Sequence, residues 1–187
     1  MCEQIGITNE EAATLLEKSI EMDEQDDDPD IPLRSDGTEY SIEDLAADQK
    51  ESLADVLSAL RLYCEGHDIN DQKVLRVTVS GVAGSGKSTW INTLVTAVRK
   101  MFNSGKTIEI FAPTGSAAFN AGGQTLHRGF KLPLVLNDFL ISATKQKYLL
   151  SRYGTTLVII IDERSMVDAT VLGIIKYYMQ KCAHGGG

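Results

Sequence analysis

Val74-Leu75-Arg76-Val77-Thr78-Val79-Ser80-Gly81-Val82-Ala83-Gly84-Ser85-Gly86-Lys87-Ser88-Thr89 is the stretch on which the fold turns. Its first seven residues, rich in β-branched side chains, predict a strand over 74–80. Gly81 to Ser88 then fits the spacing G-x-x-x-x-G-K-[ST] at every fixed position. Beyond it, Ile91, Leu94, Val95, Val98 and Phe102 recur on one helical face, and Asn103-Ser104-Gly105 ends the helix. Strand, loop and helix in that order form a phosphate cradle. Glycines let the backbone wrap closely, so the N–H groups of Gly81, Ala83, Gly84, Ser85 and Gly86 face phosphate oxygens. The helix that follows adds its positive end, through Lys87, Ser88 and Thr89. Lys87 is placed to reach the β- and γ-phosphates, and the Ser88 hydroxyl to hold Mg²⁺. A chance match of this kind arises in roughly one chain per hundred of this length, and the strand and helix on either side make chance a poor explanation.

A second stretch completes the chemistry. Thr155 to Ile161 is a continuous apolar run, of the kind buried on both faces of a parallel sheet, and it delivers Asp162 and Glu163 at its end. Ligands of open α/β sheets bind at that edge. Asp162 would hold Mg²⁺ through water, and Glu163 would orient and deprotonate the water attacking the γ-phosphate. No N-K-x-D segment for guanine recognition is present, so ATP is the expected nucleotide. With a further strand over Thr107–Ala112 and a last helix from about Met166 to Lys181, strands alternate with helices. The expected fold is α/β, a P-loop NTPase with a mostly parallel sheet flanked by helices. Upstream, Ser41-Ile42-Glu43-Asp44 reads as a helix cap, and Leu45, Leu53, Val56, Leu57, Leu60 and Leu62 continue at roughly helical spacing to Tyr63.

Ala112-Pro113-Thr114-Gly115-Ser116-Ala117-Ala118, followed by Gly123, Thr125, His127 and Phe130, resembles a motif of PIF-family DNA helicases, on the RecD-like branch of superfamily one. Ile161-Asp162-Glu163-Arg164-Ser165-Met166 resembles the same family's acidic motif, and Leu45-Ala46-Ala47-Asp48-Gln49 its glutamine motif. The resemblance implies a RecA-like motor domain and five-prime to three-prime unwinding. It implies that Gln49 reads the adenine edge, and that Pro113, Thr114, Gly115, Thr125 and His127 contact single-stranded DNA. His127 and Phe130 would offer stacking surfaces to bases. It also implies a second RecA-like domain whose arginine finger supplies about a thousandfold or more in P-loop enzymes generally. The segments that would carry it are not found in the sequence, so the chain alone is expected to bind ATP·Mg²⁺ weakly and turn it over slowly. Nuclear and mitochondrial locations, in repair, recombination or telomere upkeep, follow from the resemblance. Two departures stand out: Ser85 replaces the usual threonine, and Arg164 stands where many members carry an apolar residue, which by resemblance marks a branch related to the helicase portions of rolling-circle transposons.

Bulk properties set the remaining bounds. Residues 1–50 hold 16 acidic and 3 basic side chains, net −13; residues 51–187 hold 10 acidic and 15 basic, net +5. The run Glu21–Asp30 cannot bury surface, so residues 1–40 are expected to be an acidic, largely disordered tail with a short helix near Asn9–Ile20. Residues 41–187 are then the first motor domain, incomplete at its end. Three scattered cysteines argue against a disulfide framework and for a reducing compartment. No apolar run is long enough to cross a membrane, and the start has no signal-peptide pattern. Cys182 and His184 lack the further ligands of a zinc site, and Trp90 reads as packing. Two other readings stay open: a P-loop ATPase that is not a helicase, and a non-catalytic nucleotide- or DNA-binding remnant of a helicase or transposon gene. Oligomeric state is not legible.

Overall fold

The computed structural model describes residues 31–65, 77–82, 84–133 and 140–183. The expected helix near 9–20, the acidic run 21–30, residues 74–76 of the first strand, Ala83 and His184 lie outside these. The chain divides into two compact units, Asp30–Ile108 and one built from Glu109 onward.

In the first unit, helix α1 (Ala47–Cys64) and helix α2 (Lys87–Phe102) form the frame. Helix α1 begins later than Ser41, because Ser41 caps only a single 3₁₀ turn, Ile42–Asp44. It buries Leu53, Val56 and Leu60, while Leu62 and Tyr63 face solvent. Helix α2 buries Leu94, Val95 and Val98, as the apolar spacing predicts, together with Trp90. It stops where Asn103 adopts a left-handed conformation, a common C-terminal stop. Ahead of α1, residues 31–40 make a turn with an antiparallel bridge between Leu33 and Glu39, and Glu39 pairs with Lys100 of α2. That turn lies before the boundary expected at residue 41. Residues 77–80 carry no strand: Val77 and Val79 are exposed, and no ladder partner exists among the described residues. β-branched residues favour extended backbone, but a strand needs a neighbour to pair with.

The second unit holds a three-stranded sheet in the order β2-β1-β3, with β1 Ile108–Ala112 (its first residue counted with the other unit), β2 Gln124–Thr125 and β3 Val158–Ile161. β1 is central and fully buried. It runs parallel to β2, pairing Phe111 with Gln124 and Ala112 with Thr125. Two short helices, α3 (Gly115–Asn120) and α4 (Leu126–Gly129), follow β1 and β2 in turn. Helices α5 (Ala143–Tyr153) and α6 (Ala169–Ala183) pack on one another over a core that includes Phe111, Phe130, Tyr153 and Tyr178. β3 was expected to be buried on both faces, yet all four of its residues are half-buried. It is the outer strand of the described order, so one side has no strand to cover it.

Gly123 shows how tightly β2 is set. A Cβ built there would lie 2.2 Å from the backbone oxygen of Ile110, so only glycine lets β2 approach β1. The α/β class with its parallel sheet and flanking helices is as the sequence predicts.

Candidate functional site

The phosphate loop belongs to the first unit. Gly84 and Gly86 both have positive φ, 77° and 82°, and Gly86 is the N-cap of α2 with no side chain capping the helix. First-turn N–H groups therefore keep no side-chain acceptor and are available to an anion. The Lys87 ammonium donates to the Gly81 carbonyl at 2.7 Å and the Val82 carbonyl at 2.9 Å. A half-buried cation is thus held on the loop by two neutral acceptors, which phosphate oxygens can outbid because charge-assisted bonds are stronger. Ser88 is exposed and Thr89 half-buried beside it. The donor set fits a polyphosphate: a cation, an uncapped helix terminus and a hydroxyl.

Gln49 bonds to backbone on both sides of its amide. Its Oε1 accepts the Ala46 N–H at 3.1 Å, satisfying the first turn of α1. Its Nε2 donates to the Ser85 carbonyl at 2.9 Å. Trp90, read from the sequence as packing, is buried but also directional: its Nε1 donates to the Gln49 carbonyl at 3.1 Å and to Ser52 Oγ at 3.0 Å. Sequence reasoning missed this link and the part of Ser52. The available signal was an indole one turn past Lys87, since a buried Trp N–H needs an acceptor.

The acidic pair belongs to the second unit. The Asp162 N–H donates to the Phe111 carbonyl at 2.8 Å, which extends the β1–β3 pairing by one residue past β3. Asp162 Oδ1 accepts the Glu163 N–H at 2.9 Å. Glu163 is exposed and has φ 51° and ψ 40°, a left-handed conformation that costs a non-glycine residue about 1–2 kcal/mol. Strain at a carboxylate next to a strand end is a frequent mark of functional positions.

The sheet edge that holds Asp162 also gathers the other predicted contacts. Thr125 pairs with Ala112, and Pro113 and Thr114 follow directly. The Thr114 hydroxyl accepts the Ala117 N–H at 3.3 Å, and the Thr125 hydroxyl accepts the Arg128 N–H at 3.2 Å. Each keeps its own O–H to donate outward. Gly115 and His127 are exposed and Pro113 is half-buried. Phe130 corrects the sequence expectation. It is fully buried, 4.8 Å from the Phe111 ring and 5.4 Å from Tyr153, so its faces are taken up by packing. The aromatic ring presented to solvent here is Phe119 of α3, 85% exposed.

Tyr153 closes that ring cluster, donating its hydroxyl to the Gly129 carbonyl at 3.0 Å, and burial pushes its phenol far above the usual range. Burial also raises the Cys182 thiol. No group of three or more metal-ligating side chains exists among the described residues, and no described helix is long and apolar enough to cross a membrane.

A family model described as PIF1-like helicase matches residues 45–184. The ATP-dependent DNA helicase PIF1 of Candida albicans is 39% identical over 114 residues, which are 55% of this chain and 12% of that protein. The ATP-dependent DNA helicase RRM3 of Saccharomyces cerevisiae is 35% identical over 104 residues, 54% of this chain and 14% of that protein. A solved structure of Pif1 helicases on forked double-stranded DNA is 30% identical, covers 74% of this chain and 29% of that chain, and has a TM-score of 0.48. The chain spans well under a fifth of the length of the two curated relatives. The match begins at Leu45, ahead of the glutamine-bearing helix, and takes in the phosphate loop, the acidic pair and all of α6: the chain belongs to the PIF1-like helicase family.

Proposed function

We propose that this chain is the nucleotide-binding part of an ATP-dependent DNA helicase motor, with residues 41–187 as its first RecA-like domain and residues 1–40 as an acidic segment before it. The observation that carries this is the loop itself, with Lys87 resting on the Gly81 and Val82 carbonyls at the start of an uncapped sixteen-residue helix. ATP supplies the phosphoanhydride whose cleavage drives the cycle. Lys87 exchanges the two carbonyls for β- and γ-phosphate oxygens, and the N–H groups of Gly81 to Thr89 bind the rest. Ser88 and Asp162 are the residues that would hold Mg²⁺, which would offset the charge of the phosphates. Glu163 orients the attacking water and takes its proton.

At the sheet edge Pro113, Thr114, Gly115, Thr125 and His127 meet the backbone of single-stranded DNA, contacts that position a strand without reading sequence. The exposed Phe119 takes the stacking role that buried Phe130 leaves vacant. A second RecA-like domain contributes the arginine finger, translocation runs five-prime to three-prime, and the process is genome maintenance in the nucleus and mitochondrion. Kinship with helicases described as ATP-dependent DNA helicases, PIF1 and RRM3, supports the motor reading.

The test is ATP hydrolysis by the purified chain, with and without single-stranded DNA, beside Lys87→Ala. The expected result is Mg²⁺-dependent ATP binding lost in Lys87→Ala, with slow turnover until a second domain is supplied. ATP binding that survives Lys87→Ala unchanged would remove the loop from the mechanism.

A further inference from the structure

Beside the phosphate loop, α1 and α2 are joined by a small ring of hydrogen bonds. Trp90 Nε1 donates to the Gln49 carbonyl at 3.1 Å and to Ser52 Oγ at 3.0 Å. Ser52 Oγ in turn donates to the same Gln49 carbonyl at 3.0 Å. The indole is buried, so little water competes for its N–H. Trp90 also belongs to the loop through its backbone, since its N–H donates to the Gly86 carbonyl at 2.9 Å in the first turn of α2. One residue therefore spans from the last glycine of the loop to the first turn of α1. The Gln49 amide stands on the same path: a Cβ built on Gly86 would lie 3.1 Å from its Nε2. Backbone and side chain of Gln49 are held differently. A buried indole fixes the carbonyl. The half-buried amide bonds the Ala46 N–H and the Ser85 carbonyl, a donor–acceptor pair that the edge of a base can replace.

We propose that Trp90 and Ser52 are positioning residues for nucleotide recognition. They pin the backbone of Gln49 at a set distance from the phosphate loop, so that one ligand meets the amide with its base and the loop with its phosphates. The inference rests on reading the loop as a polyphosphate site and Gln49 as the residue on the adenine edge, as the family resemblance implies. A ligand held at two points gains from the second contact only when the two halves of the site keep the right separation. Trp90 supplies that constraint through its indole N–H, and Ser52 steadies it by accepting from the indole while donating to the Gln49 carbonyl. These side-chain bonds lie between the helices and use none of the loop's own donors. Their loss therefore falls on the share of affinity that the base adds and leaves the phosphate share alone.

Trp90→Phe keeps an aromatic ring in place and removes the donor, and Ser52→Ala opens the ring of bonds with little change in volume. Each would be compared with the wild-type chain, alone and combined with Gln49→Ala. Affinities for ATP and for inorganic tripolyphosphate, both with Mg²⁺, would be measured by titration calorimetry, with a melting curve on the same samples. For Trp90→Phe the expected result is a loss of roughly threefold to tenfold for ATP, the size of one hydrogen bond, with tripolyphosphate held within about twofold. Added to Gln49→Ala, it should cost nothing further. Ser52→Ala should show a smaller loss of the same kind, and it carries the test alone if Trp90→Phe fails to fold. Equal losses for the two ligands overturn the proposal, because a merely structural role at the start of α2 would weaken both. An unchanged ATP affinity, or a full further loss in the Gln49→Ala background, overturns it as well. Tripolyphosphate binding with no effect of Gln49→Ala on ATP overturns this inference and leaves the proposed function standing. A wild-type chain that binds neither ligand overturns the polyphosphate reading, and this inference with it.

Discussion

Glu163 combines a proposed chemical role with a backbone conformation that its side chain does not favour, and the two can be separated. Glu163→Gln keeps the left-handed backbone and removes the proton acceptor, so turnover should fall about a hundredfold or more while ATP binding persists. Glu163→Gly loses the same group but relieves the strain at φ 51°. After allowance for glycine's freer unfolded chain, its stability should rise by about 0.5–1 kcal/mol in chemical denaturation. A Glu163→Gly chain less stable than wild type would mean that no strain is stored there. The two phenylalanines form a second pair. Phe130→Ala empties a fully buried site and should cost about 3–5 kcal/mol. Phe119→Ala should leave the melting temperature nearly unchanged and weaken single-stranded DNA binding by about 1–3 kcal/mol, one stacked base. Equal DNA binding by the Phe119 variant and wild type would remove α3 from the DNA path.

At the scale of elements, β1 and β2 meet through a glycine contact that tolerates nothing larger. Gly123→Ala drives a methyl against the Ile110 backbone oxygen, and overpacking of that kind costs about 1–3 kcal/mol. Denaturant titration should show the loss, and a neutral result would mean the strands can part at little cost. Much of this layer is legible in the sequence. Helix α2 declares itself because Leu94, Val95 and Val98 repeat at helical spacing, and β3 because an apolar run ends abruptly in two acids. Helix α5 does not. Its inward positions include Lys145, which is buried with its ammonium on the Tyr178 hydroxyl, so a charged residue interrupts the apolar stripe. Residues 77–80 mislead in the opposite sense, since β-branched composition cannot state whether a pairing strand exists. The bonds of Gln49 to Ala46 and Ser85 are not legible in the sequence, because an amide's bonds depend on what tertiary structure brings to it. Burial of Phe130 against Phe111 and Tyr153 is a tertiary fact of the same sort.

For the whole molecule, charge is divided unevenly along the chain. Residues 1–30 hold 11 acidic side chains and one basic, so a chain lacking them passes from −8 to +2. Such a chain should bind single-stranded DNA more tightly at about 50 mM salt, and the gain should shrink as screening shortens the reach of charge. A gain that survives roughly 0.5 M salt would mean that the acidic segment obstructs the surface by contact rather than by its field. The remaining consequence concerns Trp90, the only tryptophan in the chain. Its indole is tied to Gln49 and Ser52 one turn from Lys87. Tryptophan emission of the unlabelled chain therefore comes from a single point beside the loop. A ligand that disturbs those bonds should change the colour or the yield of that light, which would make the wild-type protein its own optical gauge of occupancy.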